Sequence, residues 1–202
     1  MPSSLFKHDP EFYEAVKGLE LEPIVPFPDY FNYMLRAIAY QQLSGTAGAT
    51  IHGRFLKRFP DENPSPQLVL DMPFEFFREA GLSGQKSTYM QNIARFWIEN
   101  KVNNAMLEGM LNVDLIAFLT QIKGVGRWTA EMLMIFGMGR KDVFPLEDLV
   151  IQQAFAEIFG FEGASQKELK RQMIIRSERW EPHRSTAARL LWAWKDQRII
   201  PE

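Results

Sequence analysis

The chain has 202 residues, of which 46% are hydrophobic and 24% charged, and its formal net charge is −2 at pH 7. These values are typical of a globular protein with one domain or two small ones, and they exclude a disordered chain. Because cysteine is absent, disulfides, cysteine-ligated zinc or iron–sulfur sites and cysteine nucleophiles are excluded as well.

The three histidines and the apolar segments exclude two further classes. His8, His52 and His183 lack the spacing of a metal site. The longest apolar runs are far shorter than the ~20 residues of a membrane span, and the first residues lack the apolar core of a signal peptide. We therefore expect a soluble intracellular protein, in the cytoplasm or nucleoid if it is bacterial.

Charge is unevenly distributed along the chain. Residues 36–59 carry four basic side chains and no acidic one, and residues 161–202 carry nine basic and six acidic ones. If the fold brings the two segments together, they form a basic face of the kind that binds nucleic acid. A mixed, solvated surface is the alternative, and charge alone favours it.

Helical periodicity runs through almost the whole chain. Apolar residues recur at i, i+3, i+4 and i+7 in residues 115–122 and 187–194, and further stripes begin at Trp128 and Ile93. Connectors rich in proline or glycine lie at residues 23–28, 59–66, 137–145 and 160–164. The pattern predicts an all-α fold of about nine or ten helices.

The most specific stretch is LTQIKGVGRWTAEMLM, residues 119–134. The pattern predicts two helices joined by a short link that contains Gly124 and Gly126. Two glycines allow a tight turn and leave backbone N–H groups exposed where the second helix begins, which is a site for a phosphate. Lys123 and Arg127 add positive charge on either side. An ordinary αα-hairpin with a glycine cap is the alternative.

Within this stretch, IKGVGRWTA resembles the helix-hairpin-helix of the DNA base-excision glycosylases. In that superfamily a loop rich in glycine and proline follows the hairpin and leads to a catalytic aspartate. Here MGRKDVFPLEDLVIQQAF places Asp148 about twenty residues after the hairpin. QQLSGTAGATIHGRF, GLSGQKSTYMQNIARF and WEPHRSTAARLLW resemble segments of the 3-methyladenine DNA glycosylase II branch. The ordered match covers roughly residues 27–195.

The resemblance implies a helix-hairpin-helix glycosylase fold with two helical lobes around a DNA-binding cleft. The middle lobe is predicted over residues 30–140. The second lobe combines residues 1–29 with residues 141–202 and places Asp148 at the junction. The N-terminal β domain of the longer bacterial alkylpurine glycosylases does not precede the shared part, so a compact form is expected.

Two departures from other branches imply a monofunctional glycosylase without lyase activity. Bifunctional relatives carry a Schiff-base lysine two residues after the last glycine of the hairpin, and this position is Trp128 here. An indole cannot act as that nucleophile. The endonuclease III-like and adenine-mismatch branches carry an iron–sulfur cluster on cysteines, which this chain lacks.

The implied substrate is double-stranded DNA with alkylated purines such as 3-methyladenine and 7-methylguanine. The glycosidic bond of these cationic bases is already weakened, because the base leaves as a neutral molecule. One carboxylate then suffices to stabilise the oxocarbenium-like sugar, and Asp148 is the candidate. A helix N-cap is the alternative role for Asp148, and both can hold together.

Base excision from a duplex requires base flipping and a side chain that fills the gap. By resemblance the wedge is Gln42, with Leu43 as the alternative, although Gln41 and Gln42 could simply end a helix. A cationic base favours an aromatic pocket. The pocket candidates are Trp128, Met132, Trp180 and Phe27, and Tyr40 is a further residue near the predicted cleft.

DNA is expected to dock mainly through its backbone, on Lys123, Gly124, Val125, Gly126 and Arg127. Arg54, Arg140, Lys141 and Arg184 could add charge. No organic or redox cofactor is implied, but by resemblance the backbone carbonyls of Thr120, Ile122 and Gly124 would hold Na⁺ or K⁺.

Three other interpretations remain open at this point. The same fold could excise deaminated or mispaired bases, or the protein could be a non-catalytic module that binds damaged DNA. The third is a helical protein unrelated to DNA, in which the hairpin is a plain turn. We expect a monomer that makes no contact with membranes.

Overall fold

The computed structural model describes residues 2–199. The chain divides into two compact units. One unit combines Met1–Val25 with Gly139–Glu202, and the other is Pro26–Met138. We call them the terminal unit and the middle unit.

Twelve α-helices form the described part of the chain. In chain order they are α1 (Pro10–Val16), α2 (Tyr30–Tyr40), α3 (Gly45–Leu56), α4 (Pro66–Asp71), α5 (Phe74–Glu79), α6 (Gly84–Glu99), α7 (Asn104–Glu108), α8 (Asn112–Leu119), α9 (Arg127–Met132), α10 (Leu149–Phe159), α11 (Gln166–Glu178) and α12 (Arg184–Ile199). Short 3₁₀ segments lie at Pro2–Phe6 and Pro60–Glu62, and a π-helical turn at Leu133–Gly137 continues α9.

The all-α prediction is confirmed, since no β-strand occurs within residues 2–199. The helices outnumber the prediction because α4, α5 and α7 have only five or six residues. Helices this short are less than two turns long and cannot show a full i, i+3, i+4, i+7 stripe. None of the helices in this range is long and apolar enough to cross a membrane.

Polar side chains fix where most of these helices begin. In eight of the twelve, a serine, aspartate or asparagine accepts a hydrogen bond from a backbone N–H of the first turn, which satisfies an otherwise unbonded donor. These caps are Asp9, Asp29, Ser44, Ser65, Ser83, Asn103, Asp148 and Ser165. The sequence thus encodes most helix starts locally.

The middle unit is built around α2 and α6. Helix α2 packs against α3, α6 and the π-helical turn, while α4 and α5 pack on α6, and α8 packs on α9. The buried side chains of this core include Met34, Leu35, Ile38, Met90, Ile93, Leu115 and Leu119. This packing holds the end of α2 and the link between α8 and α9 in fixed positions.

The terminal unit packs α1, α10, α11 and α12 around Trp180. The Trp180 ring is fully buried and stacks on Phe12 at a centroid distance of 4.5 Å. Its Nε1 donates to Asp9 Oδ2 at 3.0 Å, and Arg176 donates to both oxygens of the same carboxylate. Burial pushes the pKa of Asp9 up, but the hydrogen bonds from Arg176 and Trp180 outweigh it and hold the pKa below its ordinary value.

Candidate functional site

The link between α8 and α9 is a tight turn in which only one glycine is conformationally required. Gly124 has φ +109°, and a Cβ at this position would lie 2.2 Å from Cγ of Tyr89. Gly126 has φ −89°, and a Cβ there would meet nothing within 4 Å. Gly124 is therefore needed by the fold, whereas Gly126 leaves open space where the backbone is exposed.

The amides of this hairpin are not equivalent. The Val125 N–H donates to the Ile122 carbonyl at 2.9 Å, and the Val125 side chain is only 4% exposed. The prediction that the Val125 amide is available to a phosphate is therefore wrong, because that amide closes the turn. No acceptor within residues 2–199 bonds the amides of Gly124 and Gly126, which makes these two the donors available to an anion.

The two cations beside the hairpin also differ. Arg127 Nε donates at 2.8 Å to Oε1 of Glu131, whose side chain is buried. Part of the Arg127 charge is therefore neutralised by its own helix. Lys123 is exposed, and its backbone carbonyl accepts from Asn92 Nδ2 at 3.1 Å. Lys123 is thus the more accessible of the two charges.

The carbonyls predicted to hold a monovalent cation lie in the same turn. The Ile122 carbonyl accepts from Val125, and the Gly124 carbonyl accepts from Gln41 Nε2 at 3.4 Å. A carbonyl oxygen has two lone pairs, so each retains acceptor capacity, and neutral carbonyl oxygens suit K⁺ or Na⁺. Thr120, which directly follows α8, completes the set. No cluster of His, Asp or Glu with metal-site geometry occurs among residues 2–199.

A strained turn follows α2 and carries the predicted wedge. Gln42 has φ +58°, an uncommon conformation for a residue with a side chain. The side chain of Gln41 points back to the hairpin, with Nε2 3.4 Å from the Gly124 carbonyl and 3.5 Å from Thr129 Oγ1. Leu43 is 39% exposed. Gln41 is thus a structural link, while Gln42 and Leu43 remain the wedge candidates.

Both wedge candidates line a cavity of about 620 Å³ in the middle unit. A volume of this size is within the range of about 300–1,000 Å³ typical of small-molecule sites. Two of the four predicted pocket residues line the same cavity: Trp128, whose side chain is 42% exposed, and Met132, which is buried. The lining residues are Tyr33, Arg36, Ala37, Tyr40, Gln41, Gln42, Leu43, Gly126, Trp128, Thr129, Met132 and Phe136.

The other two pocket predictions have different outcomes. The prediction for Trp180 is wrong, because its ring is fully enclosed in the core of the terminal unit and has no face to offer a ligand. Phe27 does not line the cavity, but its ring packs edge-on against Tyr33, which does. Phe27 therefore packs against a residue of the cavity wall and does not line the cavity itself.

Sequence reasoning missed part of the α2 face that lines the cavity. Tyr33, Arg36 and Tyr40 are spaced i, i+3 and i+7, so they lie on one side of α2. Because all three side chains carry polar atoms, a search for apolar residues at helical spacing did not find this face. The guanidinium carbon of Arg36 lies 4.4 Å from the centroid of the Tyr40 ring.

Burial raises the pKa of Tyr33 to about 12, and its hydroxyl donates to the Met132 carbonyl at 3.0 Å. Burial, with a smaller effect of the Arg36 charge, lowers the pKa of His52 to about 4.

A second, more polar cavity of about 440 Å³ adjoins the hairpin. Gln42 and Gly126 line both cavities, and Lys86 and Tyr89 of α6 line only this one. Lys86 Nζ donates to the Ala39 carbonyl at 2.9 Å near the C-terminal end of α2. Burial lowers the pKa of Lys86. This contact supports the turn that carries Gln42.

Asp148 lies in the terminal unit at the start of α10. Its Oδ1 accepts from the Ile151 N–H at 2.9 Å and from Trp192 Nε1 at 3.0 Å, and the residue is 7% exposed. The predicted helix cap is therefore present. Trp192, a residue that sequence reasoning did not single out, orients the same carboxylate. In the same unit Arg184 forms an ion pair with Asp142 at 2.7 Å, so its charge is already balanced within the protein.

Comparison with known proteins places these features in a family context. Residues 35–182 match the model of the HhH-GPD superfamily base excision DNA repair proteins. DNA-3-methyladenine glycosylase 1 of Schizosaccharomyces pombe is 36% identical over 165 residues, which are 80% of this chain and 71% of the relative. The Bacillus subtilis protein YfjP is 28% identical over 176 residues, and the matched region is 84% of this chain but only 60% of YfjP.

A solved structure shows the same architecture. The 3-methyladenine DNA glycosylase of Schizosaccharomyces pombe, in complex with abasic DNA, superposes with a TM-score of 0.81 at 30% identity. The superposition covers 95% of this chain and 94% of the other.

Proposed function

Because the chain belongs to the HhH-GPD superfamily of base excision DNA repair proteins, we propose that it is a monofunctional DNA glycosylase acting on alkylated purines. It binds double-stranded DNA, flips the damaged base out of the stack and hydrolyses the N-glycosidic bond. The observation that carries this proposal is the large cavity of the middle unit. Wedge candidates, an aromatic wall and the hairpin glycine Gly126 all line that one cavity.

The chemistry needs little from the protein beyond one carboxylate. A 3-methyladenine or 7-methylguanine base is cationic, so the C1′–N bond breaks with the electron pair leaving on the base, which departs neutral. Water then adds to C1′ and releases a proton to solvent. We assign the stabilisation of the positively charged sugar to Asp148. Two unit charges about 4 Å apart attract by roughly 4 kcal/mol at an effective dielectric near 20, which corresponds to about a thousandfold in rate.

The middle unit supplies DNA binding and the flipped-out state. The amides of Gly124 and Gly126 bind a backbone phosphate, with Lys123 adding charge, and Na⁺ or K⁺ on the carbonyls of Thr120, Ile122 and Gly124 would strengthen this anion site. Gln42 or Leu43 fills the gap in the duplex. The indole of Trp128 offers the cationic base a π face. The absence of a lysine at this position supports hydrolysis of the base alone, without strand cleavage.

The proposal is tested by release of free base from methylated duplex DNA, comparing wild type with Asp148→Asn. Asparagine is as good an N-cap as aspartate and keeps the Oδ1 that accepts from Ile151 and Trp192. The variant should therefore unfold at nearly the same denaturant concentration while losing about a thousandfold in rate. Strand breaks should appear in the wild-type reaction only after hot alkali.

Other outcomes would contradict particular parts of the proposal. Breaks without alkali would refute the monofunctional assignment. Near-full activity of Asp148→Asn would refute the role of the carboxylate. If neither protein releases a methylated base but both bind DNA, the protein is either a glycosylase for deaminated or mispaired bases or a non-catalytic binding module. A panel of neutral lesions distinguishes the last two.

A further inference from the structure

Arg36 stands out among the residues that line the large cavity. Within the described part of the chain, it is the one charged residue of the lining. The remaining lining residues are aromatic, aliphatic or neutral polar. Whatever enters the cavity therefore meets a single fixed positive charge and no carboxylate from this wall.

The Arg36 guanidinium makes no hydrogen bond or ion pair with any residue from 2 to 199. It stacks over the Tyr40 ring, with its carbon 4.4 Å from the ring centroid. The residue is half-buried. A partly buried cation without an acceptor is unfavourable. Because no protein group in the described part of the chain accepts from Arg36, its five N–H donors are available to a molecule in the cavity.

The stacking partner of Arg36 is itself held in place. Gly48 of α3 approaches the Tyr40 ring so closely that a Cβ at Gly48 would lie 2.7 Å from the ring Cγ. The nearby His52 adds no competing charge near neutral pH, because its pKa is about 4. The guanidinium plane is thus positioned before any ligand arrives, and the entropy lost on forming a hydrogen bond is small.

A planar guanidinium selects bases by their hydrogen-bonding edge. It has donors and no acceptor, and in DNA recognition it pairs with O6 and N7 of guanine. In 7-methylguanine N7 carries the methyl group, so O6 is the acceptor that remains on this edge. A 6-oxopurine presents an acceptor to it, whereas a 6-aminopurine presents an NH₂ group whose hydrogens face the donors. Both N-alkylated bases carry one positive charge and are repelled by Arg36, so the difference at position 6 is what distinguishes them.

We propose that Arg36 is a specificity-determining residue that donates to O6 of the flipped purine and favours 6-oxopurines such as 7-methylguanine over 6-aminopurines such as 3-methyladenine. The proposal rests on the glycosylase activity proposed above. It concerns the ratio of two products, while the proposed activity concerns whether any base is released. The two can therefore fail separately.

The test uses one duplex DNA preparation that contains both methylated bases and measures the ratio of the two free bases released. Arg36→Met keeps an unbranched side chain of similar length and removes the charge and the donors. A charge-assisted hydrogen bond contributes enough that the ratio of 7-methylguanine to 3-methyladenine should fall about tenfold. Arg36→Gln retains an amide donor and should recover part of the ratio.

Arg58→Met is the matched control. The Arg58 guanidinium carbon also lies over an aromatic ring of the middle unit, 5.2 Å from the Phe76 centroid, and pairs with Glu79. Arg58 does not line the cavity. The control variant should therefore show the wild-type ratio.

Three outcomes would overturn the proposal. An unchanged ratio in Arg36→Met would do so. An equal fall in both products, with a salt dependence of binding weaker by about one phosphate contact, would show that Arg36 contacts the DNA backbone instead. If the wild type releases neither base, the function proposed above fails. Tryptophan fluorescence titration with free 7-methylguanine and 3-methyladenine then tests Arg36 directly, and equal affinities in wild type and Arg36→Met would overturn its role.

Discussion

Gly124→Ala is expected to destabilise the fold strongly, whereas Gly126→Ala, two positions away, is expected to leave its stability almost unchanged. At φ +109° an alanine is strained by about 1–2 kcal/mol relative to glycine. Its Cβ would also lie 2.2–2.6 Å from three atoms of the Tyr89 ring, so the ring must move. Overpacking of this kind typically costs about 1–3 kcal/mol. The shift also disturbs the 2.6 Å hydrogen bond from Gln85 to the Tyr89 hydroxyl. We expect a total loss of about 3 kcal/mol in the free energy of unfolding.

The matched control is Gly126→Ala. Its φ is ordinary and a Cβ meets no atom within 4 Å, so the free energy of unfolding should change by less than about 0.5 kcal/mol. The same methyl group would protrude where the proposed DNA backbone approaches, so lesion-duplex affinity should fall. Gly126→Ala thus separates binding from stability.

Urea unfolding followed by circular dichroism measures both variants. With a slope of about 2 kcal/mol per molar urea, the midpoint of Gly124→Ala should shift by about 1.5 M. In Tyr89→Ala the ring is gone, so adding Gly124→Ala to that background should cost only the backbone strain. Equal midpoints for wild type and Gly124→Ala, or an equally large loss in both backgrounds, would refute the steric reasoning.

Two further predictions concern the wedge and a half-buried histidine. Gln42→Gly removes the side chain but suits φ +58°, so the fold should persist while excision from duplex DNA falls about tenfold and excision from single-stranded lesions does not. Equal activity on both substrates would exclude Gln42 as the wedge. For His52 the folded pKa of about 4 lies below the unfolded value near 6.5, so the unfolded chain binds more protons between these pH values. Stability contributed by the neutral ring is complete above pH 6.5 and is lost as the pH falls towards 4. The loss should be about 2 kcal/mol after allowance for partial exposure, and His52→Gln should abolish this part of the pH dependence of unfolding.

Local features of the sequence determined the helical class and the ends of many elements. Serine and aspartate caps act on amides two or three residues away, and a helical stripe needs only the spacing of its own residues. For this reason the hairpin, the start of α9 at Arg127 and the position of Asp148 before α10 could be predicted from the sequence. The same locality explains why Asp148 is a cap whatever its chemical role.

The roles of individual aromatic and glycine residues depended on distant partners. Trp180 and Trp128 are the same residue type, yet one is enclosed by Phe12 and its neighbours and the other lines a cavity. Gly124 is required because Tyr89, 35 positions earlier in the sequence, packs on it.

The environment of the charged residue Arg36 also depends on distant partners. Only the tertiary structure shows that its guanidinium stacks on Tyr40 and lines a cavity without a protein acceptor. A sequence determines which groups can be buried, exposed or paired. Which of these occurs is decided by the packing of elements far apart in the chain, because burial and hydrogen-bond satisfaction are properties of the assembled core.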